Sequence, residues 1–353
     1  MRGVLLILGV ALVLLVGCGS NDSGSETAVG AREASALKKA AACLQRSATP
    51  PAAAPEPRPR SEGLKNLHLT LDGYPDADDA GVLLAAQRGY FSAAGVKIEI
   101  TSPVIASNIP GYIDEGASDL GLLPQPQVTI ANSEGMPLVA IGSVIRQPTM
   151  VMMSLKGSGI EGVRDLKGKT IAINSLSFEE AAFEAVLARG GLTLEDVKLQ
   201  RANYWVVQAL VKGRADAVLG VSRNLEGVEL EACGVEPVVV PLRELGIPPY
   251  EELVVVGRRD RRAQDPELFH SFMAALARGT AAAAADPRAA AEAISSYRAE
   301  LGAGHPQEPA LVEAKVKATL PLLSRSGSLG PARAARFARW MHDQGLIQRR
   351  SQK

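Results

Sequence analysis

The chain has 353 residues, of which 46% are hydrophobic and 4% aromatic, with 38 basic and 38 acidic side chains and a formal net charge of zero. Without a basic surplus to neutralise phosphates it is not built as a nucleic-acid binder, and ample apolar content at nil net charge excludes disorder for the bulk of the chain. Once a leader and linker are set aside, the remainder exceeds what one core usually organises, so two lobes are expected.

Met1-Arg2 precedes an apolar run from Gly3 to Gly17. The run falls short of the roughly 20 residues that span a bilayer, and its charged start and small-residue end read as a secretory signal over residues 1–17. Leu15-Val16-Gly17-Cys18 resembles a bacterial lipobox, which would place lipid on Cys18. Acyl chains contribute about 0.8 kcal/mol per buried CH₂, so a lipidated Cys18 would hold the protein on the extracytoplasmic face of the membrane without a spanning helix. Residues 18–65 are rich in Ala, Ser and Pro, with prolines at 50, 51, 55, 57 and 59, and read as a flexible tether. Residues 34–44 have helical composition, yet nothing in them suggests a packed unit. The other two cysteines are Cys43 and Cys233. A disulfide between them is conceivable outside the cytoplasm, but two free thiols is the preferred reading, since a tether stapled to a core is unusual. Single, scattered histidines and no zinc-type spacing argue against metal.

From Asn66 onward, short β-type runs alternate with amphipathic helices. Strands are predicted at 67–71, 96–100, 119–123 and 138–144, with helices at 80–91, 110–115 and 128–134. A second unit has strands at 169–173, 197–199, 217–220 and 238–241 and helices at 178–189 and 204–212. The run 253–256 returns the chain to the first unit, and 265–346 is helical, with Pro266, Pro309 and Pro331 at breaks. This order predicts an α/β clamshell of two lobes, with mostly parallel sheets, flanking helices and two hinge crossings. Lobe one comprises 66–154 and 256–347, lobe two 155–255, and 348–353 form a tail. The hinges are expected near Met153–Lys156 and Val254–Gly257.

Ligands of open α/β sheets sit beyond the carboxyl ends of strands, so residues just after each strand are the site candidates. After the first strand come Asp72, Tyr74, Asp76, Asp78 and Asp79. A calcium loop fails because Ala80 and Gln87 fall where ligands are needed. Asp79 either caps a helix or faces a ligand; Asp72 and Tyr74 favour the ligand. Gln125 and Gln127 follow the third strand. Asn174, Ser175 and Ser177 follow the next unit's first strand, and Ser177 with Glu180 has capping-box spacing. Glu179 and Glu180 in that first turn would repel an anion, which biases the cleft toward a neutral or amine-bearing ligand. Asn224 and Glu226 follow the 217–220 strand. Tyr250 either faces the cleft or seals the hinge.

Several of these segments, in this order, resemble the substrate-binding proteins of ABC importers of the thiamine-pyrimidine-precursor type, whose wider relatives bind nitrate, sulfonate or taurine. The likeness rests on Asp72-x-x-Pro75, Gly81, Ala86-Gln87-Arg88-Gly89-Tyr90-Phe91, Asp165 to Ile171, Gly213 to Val218, Asn224-x-Glu226-Gly227, and Gly246-Ile247-Pro248 with Tyr250-Glu251-Glu252-Leu253. It departs from the pyrimidine binders at Gly73 and Asp79, where they carry a tryptophan and a histidine, and at Ser222-Arg223, where they carry an aromatic pair. The resemblance implies a type II periplasmic-binding-protein-like fold and a monomeric lipoprotein that passes a small molecule to a permease and its ATPase, without a cofactor. Asp72, Asp79 and Glu226 would accept from the N–H groups of a small amino heterocycle, with Tyr74 against its ring. An aliphatic sulfonate, nitrate or taurine is the alternative ligand, with Arg223 as its cation. The family also holds pyrimidine synthases; those require a histidine and a cysteine-rich motif that are missing here, so the chain is expected not to be an enzyme.

Overall fold

The computed structural model describes residues 34–44, 64–103, 105–174, 177–202, 205–302 and 307–347. Cys18 and Ser175 lie outside the described residues.

The first helix, α1, covers residues 34–44. β1 (Lys65–Thr70) follows, then a 3₁₀ turn at Ala77–Asp79, α2 (Ala80–Gln87), α3 (Tyr90–Ala93), β2 (Val96–Thr101), α4 (Ile109–Asp114), β3 (Leu120–Leu123), α5 (Gln125–Ser133) and β4 (Leu138–Ile145). The chain then makes β5 (Met150–Leu155), β6 (Thr170–Ile173), α6 (Ser177–Arg189), β7 (Lys198–Arg201), α7 (Val206–Val211), β8 (Ala217–Ser222), a π-type turn at Arg223–Gly227, α8 (Val228–Ala232) and β9 (Pro237–Pro241). It returns through β10 (Leu253–Arg258) into α9 (Arg259–Gln264), α10 (Pro266–Ala285), α11 (Pro287–Glu300), α12 (Pro309–Thr319) and α13 (Pro331–Asp343).

Two five-stranded sheets result, ordered β2-β1-β3-β10-β4 and β7-β6-β8-β5-β9. In each, the fourth strand in that order runs antiparallel to both neighbours. That strand is the one the chain makes on arriving from the other sheet. The sheets are therefore mixed, four strands one way and one the other. Central strands β3, β5 and β10 are buried almost end to end, as strands covered by helices on both faces must be.

Because β5 belongs to the second sheet, the crossings are 146–149 and 242–252 rather than Met153–Lys156 and Val254–Gly257. Those two segments lie in or at the end of strands: apolar runs are kept for pairing, and the polar Arg146-Gln147-Pro148-Thr149 bridges the lobes. Pro266, Pro287, Pro309 and Pro331 each open a helix, where a missing N–H costs nothing. Asp265 and Asp286 cap α10 and α11 through the N–H groups of Leu268 and Ala289. Helices α2 and α10 touch through glycine: a Cβ on Gly279 would collide with the carbonyl oxygen of Gly81, so position 279 takes no larger residue without moving a helix.

Two segments pack differently from the sequence expectation. Residues 34–44, expected in a tether with no packed unit, are docked: Ala40 and Leu44 are buried in one core with Val151, Val206 and Leu210 of the second lobe. Cys43 is bonded to Cys233, which corrects the reading of two free thiols. The helix gains its partner from that core, and the cysteine falls on its inward side. Helix α13, expected in lobe one with the rest of 256–347, lays Phe337 and Met341 into the core of the second sheet beside Phe178 and Tyr250. Its apolar residues are spaced for one face, and the aromatic cluster is what that face meets.

The disulfide closes a span of 190 residues, and such a link typically stabilises by about 2–4 kcal/mol. Peptide mapping without reductant should recover Cys43 joined to Cys233, and Cys43→Ser should lower the unfolding free energy by that order. Two free thiols in the protein purified from its host, with melting unaffected by reductant, would contradict the pairing.

Candidate functional site

The loop after β1 turns on its own aspartates. Asp76 Oδ1 accepts from the N–H of Ala77 at 2.8 Å, and Asp79 Oδ2 accepts from the N–H of Asp76 at 3.1 Å, a reciprocal cap on the 3₁₀ turn. Asp79 thus does what the capping alternative requires with one oxygen. Its other oxygen, Oδ1, is buried with no hydrogen-bond partner among the described residues. Asp78 points across the seam, where its Oδ1 accepts from Asn224 Nδ2 at 2.7 Å; the same amide nitrogen donates to Thr319 Oγ1 of α12 at 2.8 Å. Asn224 Oδ1 is likewise buried and unpaired among the described residues.

From the second lobe, the turn after β8 brings Asn224 and Glu226, and α8 brings Glu229. Glu226 Oε2 accepts from the N–H of Ser222 at 2.7 Å, fixing its own turn. Lys315 of α12 is 2% exposed and stands between the lobes, 3.1 Å from Asp76 Oδ2 and 3.5 Å from Glu229 Oε2. From the return crossing, Glu252 Oε2 accepts from the N–H groups of Thr149 at 2.7 Å and Met150 at 3.4 Å, tying one crossing to the other.

Burial is the first cause of every upward shift among the carboxylates here. It moves Asp72 from 3.8 to about 6, and Glu226 and Glu252 from 4.5 to about 7. Asp78 and Asp79 are pushed well up, by burial and then by Asp72. Burial alone would lower the Lys315 ammonium, but Asp76, Glu229 and Glu226 outweigh it and hold it above the ordinary lysine range. The charges divide by partner. Lys315 answers Asp76, Glu229 and Glu226, whereas no cation is among the groups that shift Asp72, Asp78, Asp79 and Glu252: Asp76 raises the first three, and Asp72 raises Asp78, Asp79 and Glu252.

The remaining candidates divide too. Asn174 Nδ2 donates to the carbonyl of Gly220 at 2.9 Å and lies 3.4 Å from Glu179 Oε1. Gly220, at φ +88°, leaves room for that carboxylate: a Cβ there would sit 2.9 Å from Glu179 Cδ. Ser177 opens α6. Glu180, expected to pair with Ser177 in a cap, is bound to Arg201. Tyr74 is half-buried on the loop with Asp72. Gln125 does not await a ligand: its Oε1 accepts from the N–H of Glu251 at 2.9 Å, and the carbonyl of Glu251 accepts from its N–H at 3.1 Å. Gln127 lines a separate groove of about 400 Å³ between α4 and α5, with Asn108, Tyr112 and Glu134. Tyr250 takes the hinge-sealing alternative and not the ligand-facing one. It is fully buried 5.5 Å from Phe178 and 4.8 Å from Phe337, ring centroid to centroid, because the crossing must close over the second core. Burial and then Glu252 push its phenol well up.

Sequence reasoning missed Glu252, Lys315, Thr319 and Glu229. One signal was available for two of them: Val312, Lys315, Val316 and Thr319 share the buried stripe of α12, so a lysine stood at an apolar position.

Comparison with known proteins gives the following. The family described as NMT1/THI5 like matches residues 76–290. A Haemophilus influenzae protein named for thiamine biosynthesis is 30% identical over 286 residues, 80% of this chain and 88% of its own. A formylaminopyrimidine-binding protein of Halalkalibacterium halodurans is 28% identical, over 62% of this chain and 66% of its own. A solved alkanesulfonate-binding protein of Xanthomonas axonopodis superposes with a TM-score of 0.63 at 18% identity, over 82% of this chain and 96% of its own. That likeness shows the periplasmic-binding-protein-like fold. Further relatives are named 4-amino-5-hydroxymethyl-2-methylpyrimidine phosphate synthase, among them one from Uromyces fabae at 28% identity over 64% of this chain and 67% of its own. The expectation that the chain is not an enzyme is corrected by these synthases, which stand among its relatives beside the binding protein.

The raised carboxylates carry a pH signature. A carboxyl whose pKa is higher folded than unfolded keeps its proton in the native state after the unfolded chain has lost it, so stability falls as pH rises between the two values. For Glu226 and Glu252 that window runs from 4.5 to about 7. Ligand-free protein should melt at a lower temperature at about pH 7.5 than at about pH 5, and Glu226→Gln with Glu252→Gln should flatten the slope. A melting temperature that climbs through this window would contradict the assignment.

Proposed function

The chain belongs to the NMT1/THI5-like family, and from that membership we propose that it captures a small, amine-bearing nitrogen heterocycle of the pyrimidine-precursor kind in the seam between its lobes, as the lipid-anchored extracytoplasmic receptor of an ABC importer. One observation carries the ligand class. Asp72, Asp78, Asp79 and Glu252 crowd one side of the seam with no cation among the groups that shift them, and Asp79 Oδ1 and Asn224 Oδ1 are buried acceptors without donors among the described residues. A buried acceptor left unmade costs free energy that a donor recovers. An amino group on a flat ring supplies such donors. Tyr74 offers an aromatic face on the same loop, and Asn174 an amide from the second lobe.

The lipobox-like Leu15 to Cys18 and the Pro-rich stretch after it support an anchored receptor, and the relative named as a formylaminopyrimidine-binding protein supports the solute class. A permease with its ATPase would receive the ligand. The sulfonate alternative is disfavoured electrostatically: Arg223 is exposed, and Lys315 is already held by Asp76 and Glu229. The synthases among the relatives favour a second reading, in which the same seam holds a pyrimidine that is being made. Appearance of a new pyrimidine product from the isolated protein would support it.

Titration calorimetry of the full chain with 4-amino-5-hydroxymethyl-2-methylpyrimidine and with ethanesulfonate tests the ligand class. The aminopyrimidine should bind saturably and add about 2.7 kcal/mol of stability at 100 times its dissociation constant. A buried polar group left unsatisfied costs about 1–3 kcal/mol, so Asp79→Asn, which can turn an amide N–H toward the ligand's own donor, should weaken binding roughly 5- to 100-fold. Binding of the sulfonate alone, or unchanged affinity in both Asp72→Asn and Asp79→Asn, would overturn the reading. Separately, Cys18→Ser should move the protein from the membrane to the soluble fraction of its host; unaltered membrane association would remove the lipid anchor.

A further inference from the structure

We propose that Lys315 and Asn224 are positioning residues that hold the two lobes together across the seam, so that closure is partly built into the chain and the affinity for the ligand depends on them. Lys315 belongs to α12, which packs on the first lobe's core through Val312 and Val316, whereas Glu229 belongs to α8 of the second lobe. The ammonium is therefore shared between lobes, 3.1 Å from Asp76 on one and 3.5 Å from Glu229 on the other. Asn224 makes the reverse connection. It leaves the second lobe to donate to Asp78 at 2.7 Å and Thr319 at 2.8 Å, while the adjoining Leu225 packs against the first lobe's core. Lys315, Thr319, Asn224, Asp78 and Glu229 are all at least nine-tenths buried, so these contacts require the lobes to meet.

The sign of the interaction depends on the lysine. With Lys315 present, Asp76 and Glu229 are both attracted to the seam. Without it, the same two carboxylates face each other across the seam, with Glu226 nearby, and repel. The carboxylates that close the lobes would then open them. Removing one partner of a buried pair is far more costly than removing both, which gives the mechanism a signature that general loss of packing lacks: neutralising Glu229 should repair the loss of Lys315.

Small-angle X-ray scattering of the ligand-free full chain tests this without reference to any ligand. Lys315→Met should shift the radius of gyration upward, Lys315→Arg should keep it at the wild-type value, and Lys315→Met with Glu229→Gln should return it toward wild type. The affinity arm rests on the function proposed above: Lys315→Met should bind 4-amino-5-hydroxymethyl-2-methylpyrimidine about ten-fold more weakly, because binding must then also supply closure. Should Lys315→Met not fold, Asn224→Ala, which removes both bonds to the first lobe while leaving the charges in place, should give the same shift in scattering. Wild-type scattering from folded Lys315→Met or Asn224→Ala, or a double variant as expanded as the single one, would overturn the proposal. If scattering changes as expected but the aminopyrimidine binds no variant and not the wild type, the ligand assignment fails and the positioning role stands.

Discussion

A carboxylate withdrawn from water must be met by a hydrogen bond, a cation or a proton, and the seam of this protein withdraws Asp72, Asp76, Asp78, Asp79, Glu226, Glu229 and Glu252 together. They are met in different ways, Asp72 by holding its proton up to about pH 6. Asp76 and Glu229 have Lys315; Glu226 and Glu252 have backbone N–H groups; Asp78 has Asn224. Asp79 gives one oxygen to its own turn and keeps the other. The contacts between the lobes follow from how that demand is shared.

The crossings show the same economy. Glu252 receives the N–H groups of Thr149 and Met150, while its neighbour Glu251 receives Ser143 Oγ at 2.7 Å and the N–H of Gly330 at 3.2 Å. Two adjacent glutamates thus connect both crossings, the edge of the first sheet and the segment leading to α13. Arg333 adds a bond to the carbonyl of Arg146 in the first crossing. Tyr250 fills the space beneath with an aromatic body between Phe178 and Phe337. Opening the lobes would strain a knot of hydrogen bonds to acidic side chains beside the carboxylates that face the seam.

Much of this architecture is legible in the sequence because local pattern and tertiary role agree. The strands at 96–101, 138–145 and 170–173 and helix α6 fall within a residue or two of their pattern-based bounds, since apolar periodicity reports directly on burial. β5 was hidden because Met150 to Leu155 reads equally as a hinge entering a second unit; only pairing with β8 and β9 makes it a strand of that sheet. The helix at 34–44 and the possible Cys43–Cys233 pair could be read from the sequence, but the docking that favours the pair could not, because Ala-rich composition says nothing of a docking surface some 190 residues away. At the site, Asp72, Asp79, Asn224 and Glu226 could be found from their places after strands. Lys315 and Glu252 could not be found that way, as they come from a trailing helix and a crossing and meet the seam only through the fold.

A crystal structure of the protein with 4-amino-5-hydroxymethyl-2-methylpyrimidine would test the central claim most directly. The ring should lie between the lobes, with its exocyclic nitrogen within hydrogen-bonding distance of Asp79 Oδ1, about 3 Å. Electron density for the ring in the groove between α4 and α5, with the seam still closed by the protein's own side chains, would contradict it.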